Sequence, residues 1–230
     1  MTELDTYIQY ARQTLADFSS SGEERRNLLV NEIGDAEVKR VLDVGCGAGL
    51  QLVPFAEKKN SFCVGIDIGA EVGEVGEMIF REQGLEGRGA FFRALGEELP
   101  FADRSFEVVI CRVALPYMDN HRALSEIARV LRPGGKFFLK IHAPRFYWGM
   151  IKERAKTLNP KQLAYPLICL TAGTINRLRG QHPRGNFWKG KEVYQTRKSL
   201  ARELTIRGLR IIKELPDTND GTPSFLIEKG

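Results

Sequence analysis

Apolar positions along this chain switch between two periods. Between Glu23 and Gly34 they fall at 28, 29, 30 and 33 and stop at a glycine, which predicts a short helix with its C-terminal signal. "KRVLDVG" is instead a continuous apolar run, the pattern of a short buried strand. The alternation then repeats. "LQLVPFAEKK" predicts a helix with Pro54 in its first turn, and "SFCVGIDIG" a strand ending at Asp67. "EVGEVGEMIFREQG" reads as a glycine-diluted helix, and "RGAFFRALG" and "SFEVVICRVAL" as the third and fourth strands. "HRALSEIARVLRPGG" is an amphipathic helix ended by Pro-Gly-Gly, and "KFFLKIH" a fifth strand. Late in the chain, "SLARELTIRGLRIIKEL" predicts a helix and a strand, and "PSFLIEK" a final strand. The short turn "PDTNDGT" between them suggests an antiparallel edge hairpin.

Strands alternating with helices imply an α/β fold, a doubly wound, mostly parallel sheet of the Rossmann-like kind. One domain accommodates all 230 residues, of which 43% are hydrophobic. It divides into N-terminal helices over 1–37, a core over 38–142, an insertion over 143–195 where the pattern breaks, and a closing helix and edge strands over 196–230. "TELDTYIQYARQTLADF" lacks the basic start and apolar core of a secretory signal, and no apolar run reaches the ~18 residues of a spanning helix. The four cysteines, Cys46, Cys63, Cys111 and Cys169, match no zinc spacing. The expectation is a cytoplasmic protein with reduced cysteines and no metal.

"VLDVGCGAGL" carries the first chemical signal. Its three glycines, Gly45, Gly47 and Gly49, follow a strand, and each costs roughly 0.5–1 kcal/mol relative to alanine inside a regular element. A bend at the carboxyl end of the first strand explains them. In open parallel sheets ligands sit there, and a turn without side chains lets the main chain approach one closely. The next helix offers unpaired N–H groups to an anionic part of that ligand. The spacing is G-x-G-x-G, with Leu50 where a dinucleotide fingerprint has its third glycine, which argues against NAD or FAD. Asp67, ending the second strand, is placed to accept hydrogen bonds from ribose hydroxyls.

"VLDVGCGAG", the strand-end acid of "GIDIG", "GEELPFADRSFEVVIC" and "EIARVLRPGGKFFL" occur in that order. Together they resemble the class I S-adenosylmethionine-dependent methyltransferases of the small-molecule-type domain group, over about residues 38–142 and 197–228. The resemblance implies S-adenosylmethionine as methyl donor. It implies that Asp43 and the backbone at Gly45 and Gly47 hold its methionyl end, and that Gly49 lets the helix pack closely on the strand. Asp67 would take the ribose diol, Ile68 would pack on adenine, and Leu95, Gly96 and Glu97 would form the loop that clasps it. Arg112 stands where the family's residue faces the cofactor. Two departures matter. Leu95 replaces a frequent aspartate and cannot accept from the adenine amino group, so backbone groups or Glu97 must. Arg112 beside a sulfonium is unfavourable unless it turns away, pairs with a carboxylate or reaches an anion.

Methyl transfer from a sulfonium is an in-line displacement in which the protein supplies binding and alignment. A general base is needed only where the acceptor must lose a proton. His142, at the end of the fifth strand, is the best-placed candidate, and Tyr117 is a second that reads more readily as pocket wall. His121 opens an amphipathic helix and reads as a surface or capping residue.

Charge is unevenly spread. Ala143–Gln195 holds ten Lys/Arg and two Glu, a net of +8, while the remainder holds 24 basic and 27 acidic residues, a net of −3. The insertion includes "QLAYPLICLTAGTIN", 15 residues without a charge, followed by "RLRGQHPRGNFWKGK". A helix of 15 residues is too short for a ~30 Å hydrocarbon core. It suits a lid over the acceptor or a peripheral membrane contact through 162–191. The basic stretch also reads as a solvated loop anchored to the core by Phe187 and Trp188, or as a nucleic-acid surface, although no RNA-binding module accompanies it. The leading reading is methyl transfer to a small or lipid-like molecule. The alternatives are an RNA methyltransferase and a scaffold that keeps the fold without turnover.

Overall fold

Strand β1 (Arg40–Val44) is buried along all but its first residue. It lies between β2 (Phe62–Asp67) and β4 (Phe106–Arg112), both parallel to it. β3 (Gly89–Arg93) flanks β2, and β5 (Leu131–Lys140) flanks β4. Two antiparallel strands complete the sheet: β7 (Ser224–Lys229) on β5, and β6 (Leu209–Glu214) outside β7. The order is therefore β3-β2-β1-β4-β5-β7-β6 in this computed structural model, which describes residues 3–156, 159, 161–179, 183, 185–188 and 190–230. The chain leaves β1 for β2 on one side and later returns to β4 on the other, so the strand order reverses between β1 and β4. A crevice opens at such a point, beyond the carboxyl ends of the strands.

Helices cover both faces. On one face lie α1 (Glu3–Ser20), α2 (Glu23–Arg26), α3 (Leu28–Ile33), α4 (Val53–Lys59) and α5 (Val72–Glu82). The apolar sides of α1, α3, α4 and α5 meet Val41, Cys63, Val108, Ile110 and Phe138 of the sheet. On the other face α6 (Asn120–Val130) and α9 (Arg197–Thr205) close over Leu42, Val109, Phe137, Leu139 and Ile227. The expected helix of 23–34 is two short ones, interrupted at Asn27 and ended at Gly34 with φ +61°.

α6 is the clearest amphipathic helix, and Asp119 caps it by accepting from the N–H groups of His121 and Arg122 at 3.1 and 3.2 Å. It ends three residues before the predicted Pro-Gly-Gly stop begins at Pro133. Pro133 disfavours helix at Arg132, and Leu131 already pairs with Phe106 in the sheet. Pro133 to Gly135 form an irregularity inside β5, which resumes its ladder at Lys136 opposite Val108. The insertion adds α7 (Pro144–Ala155) and α8 (Lys161–Arg179), two helices packed on each other around Tyr147, Cys169 and Tyr194.

Candidate functional site

The three glycines after β1 do form a bend, all with φ between +52° and +76°. They serve different ends. A Cβ on Gly45 would collide with Ala114, and one on Gly49 would lie 2.6 Å from the Phe91 ring. Gly49 thus makes room for a β3 side chain. Only Gly47 faces space, with Tyr7 Oη the nearest atom at 3.9 Å. The backbone N–H groups of Gly45 and Cys46 both reach Ile66 O, at 2.8 and 3.0 Å, which locks the bend to β2.

Asp67 meets that bend. Its Oδ2 accepts from Gly47 N–H at 3.0 Å, and Oδ1 from Gly69 N–H at 3.1 Å. Asp43 is buried beneath, with no hydrogen-bond donor on its carboxylate among the described residues. Burial pushes its carboxyl up to about 7; Arg112 opposes the shift and Asp67 adds to it. Ile68 and Leu95 are 60% and 54% exposed, two aliphatic side chains left open to solvent beside the bend. Gly96 has no room for a side chain, because Met118 and Val44 fill the space. Glu97 spends Oε1 on the backbone N–H of Asp119 at 2.8 Å, tying its loop to the start of α6.

Arg112 pairs with Asp217, donating also to Ser224 Oγ at 3.2 Å. Lys140 reaches the same carboxylate at 2.8 Å. Burial opposes ionisation of Asp217, but the bonds to Lys140 and Arg112 hold it down at about 2. Arg112, Lys140 and Asp217 border a cleft of 310 Å³ whose other walls include Leu50 and Gln51 after the bend and Phe18 of α1. Sequence reasoning missed Asp217 and Tyr7. Tyr7 of α1 puts its Oη over the bend at Gly47, where burial first, then Asp67, pushes its phenol up to about 12.

His142 and Tyr117 come together through a residue the sequence did not single out. Glu192 is 3% exposed and takes four donors. Tyr117 Oη donates to it at 3.0 Å and Tyr147 Oη at 2.8 Å; Tyr165 Oη and His142 Nδ1 also bond to it. Burial alone would raise the Glu192 carboxyl, yet the bonds from His142, Tyr165 and Tyr147 hold it at about 2. His142 also stacks on Phe146 at 3.9 Å, and its Nε2 has no partner among the described residues. One signal was available: Glu192 is one of only two acids in a segment of ten basic residues. His121 lies outside this cluster. It is not the α6 cap, and its ring faces Glu203 and Arg207.

The insertion differs in part from expectation. Phe187 is 62% exposed and pairs with Trp188 rather than anchoring a loop in the core. Of the basic stretch and the 162–191 contact, residues 180–182, 184 and 189 lie outside the described residues. Among the described residues no helix is long and apolar enough to cross a membrane, and no cluster of His, Cys, Asp and Glu could hold a metal ion.

Residues 42–139 match the family model for a methyltransferase domain. An uncharacterized methyltransferase of Bacillus subtilis (strain 168), YcgJ, is 38% identical over 104 residues, 45% of this chain and 40% of that protein. Sterol 4-C-methyltransferase strm-1 of Caenorhabditis elegans is 34% identical over 128 residues, 54% of this chain and 37% of that one. The chain thus spans about half or less of the length of these curated relatives. A solved geranyl diphosphate methyltransferase in complex with SAM shares the fold, with TM-score 0.64, 14% identity, and coverage of 96% of this chain and 90% of that one.

Proposed function

From a chain that carries a class I S-adenosylmethionine-dependent methyltransferase domain, we propose an enzyme that transfers a methyl group from S-adenosylmethionine to a small or lipid-like molecule. One observation carries this reading: the strand-end carboxylate of Asp67 lies on the open glycine bend, 3.0 Å from Gly47 N–H. The donor set fits the cofactor. Asp43 is a buried carboxylate without a hydrogen-bond donor among the described residues, suited to an ammonium group. The space above Gly47 suits close approach of main chain, and exposed Ile68 and Leu95 suit a planar base.

In this reading Asp43 and the bend hold the methionyl end, Asp67 the ribose diol, and Ile68 with the backbone of 95–97 the adenine. When bound, S-adenosylmethionine supplies an electrophilic methyl on a sulfonium. Arg112, neutralised by Asp217, leaves that sulfonium unopposed. The cleft bordered by Arg112, Lys140 and α1 holds the acceptor in line. His142, its Nδ1 held by Glu192, is not among the residues lining that cleft, so it acts as general base only for a hydroxyl acceptor that also reaches the cluster around Glu192.

Calorimetry with S-adenosylmethionine and its demethylated product tests the reading. Both bind the wild-type chain, and Asp67→Ala weakens both by about 1–3 kcal/mol through loss of charge-assisted hydrogen bonds. Undiminished affinity in a folded Asp67→Ala protein refutes this placement of the ribose.

A further inference from the structure

A groove of 520 Å³ runs between the start of α6, the end of α8 and α9, and none of its walls belongs to the proposed cofactor set. Arg177, Arg179, Lys198 and Arg202 stand along it, all exposed and none paired with an acid among the described residues. The contrast with nearby cations is plain: Arg197 pairs with Glu214 and Arg207 with Glu203. Glu203 is the one acid on the groove wall, and Arg207 at 2.8 Å and His121 at 3.3 Å already engage it.

A second observation is independent of the charges. Asn120 borders the groove and is only 6% exposed, yet neither its Nδ2 nor its Oδ1 has a partner among the described residues. A buried amide left unpaired is costly and calls for a polar partner. Leu178 and Ile206, 80% and 66% exposed, add apolar surface at the same groove.

We infer that this groove binds an amphipathic phosphate, a phosphate monoester carrying an aliphatic chain. Four unpaired cations exceed what a monoanion neutralises, and a phosphate monoester carries about two negative charges near pH 7. Arginine forks match phosphate oxygens, Asn120 turns its Nδ2, sealed from solvent in the free groove, outward to donate to one of them, and Leu178 and Ile206 take the chain. The site does not depend on the methyltransferase reading.

Calorimetry with dodecyl phosphate, below its micelle-forming concentration, and with inorganic phosphate tests it. Dodecyl phosphate is expected to bind at least about tenfold more tightly than inorganic phosphate. The exposed pair Lys198→Gln with Arg202→Gln weakens it roughly tenfold or more. Asn120→Leu, close in volume, weakens it as well while the melting temperature holds or rises. Pelleting with phosphatidic acid vesicles, abolished in the Lys198→Gln/Arg202→Gln protein, would make the natural ligand a lipid headgroup; binding of the monomer without pelleting would make it a free amphiphile. Either result upholds the site. No dodecyl phosphate binding, or equal binding to wild type and the double variant, overturns it. S-adenosylmethionine affinity measured alongside is expected to stay unchanged in the double variant, so failure of the cofactor reading would show separately.

Discussion

Asp43 and Asp67 lie at the carboxyl ends of adjacent strands, but among the described residues only the Asp67 carboxylate has hydrogen-bond donors, at Gly47 and Gly69. With its carboxyl raised to about 7, Asp43 binds a proton in the folded protein that the unfolded chain, near 3.8, has lost. Its contribution to stability is present below about 3.8 and falls as pH rises to about 7, because the folded state must then bury a charge. Asp43→Asn is therefore expected to raise the melting temperature at pH 8 and to leave it little changed at pH 4; equal shifts at both would contradict a buried, neutral Asp43. A cationic ligand reverses the preference. Binding of S-adenosylmethionine at pH 6 should release a proton, measurable by calorimetry in buffers of different ionisation enthalpy, and Asn at this position should abolish the release. Asp43, the bend and Asp67 were legible in the sequence because strand and glycines are contiguous there and the acid closes the very next strand. Asp217 was not: it meets Arg112 across 105 positions, from a turn that reads only as polar.

Two side chains decide how whole elements sit. Phe91 of β3 lies against Gly49 of the bend, Gly65 of β2 and Gly76 of α5, each with no room for a Cβ. These glycines, one of which reads in sequence as diluting a helix, exist to admit a single ring. Phe91→Ala should cost about 3–5 kcal/mol by leaving a cavity, and Gly76→Ala about 1–3 kcal/mol by overpacking, both read from denaturant midpoints. Glu192 does the corresponding work for the insertion, joining Tyr117 after β4, His142 after β5, Tyr147 on α7 and Tyr165 on α8. Glu192→Ala leaves those donors without their acceptor, at a cost of about 3–5 kcal/mol. Hydrogen exchange should quicken in α7 and α8 and stay slow in β1 and β4. With its carboxyl lowered to about 2, Glu192 contributes stability above about 4.5 that disappears as pH falls toward 2. The elements themselves were readable wherever one period held for a whole strand or helix. The hub was not, since its five members are scattered from 117 to 192 and no local pattern links them.

Across the molecule, the parallel core from β1 to β5 followed from the alternation of periods. The place of the last two strands needed the structure: β7 inserts between β5 and β6, so the final strand in sequence is not the edge of the sheet. Ending the chain after Thr222 should remove β7, strip β6 of its neighbouring strand and take Ser224 from Arg112. Loss of the cooperative thermal transition in such a truncation, followed by circular dichroism, is the expected result. The same insertion has a bearing on biosynthesis. β7 leaves the ribosome about 80 residues after β5, roughly 4–16 s later at ordinary elongation rates. Throughout that interval the nascent chain displays a bare row of β5 amides and carbonyls, open to mispairing with a neighbouring polypeptide, so that chaperone protection during translation matters most for the segment between them.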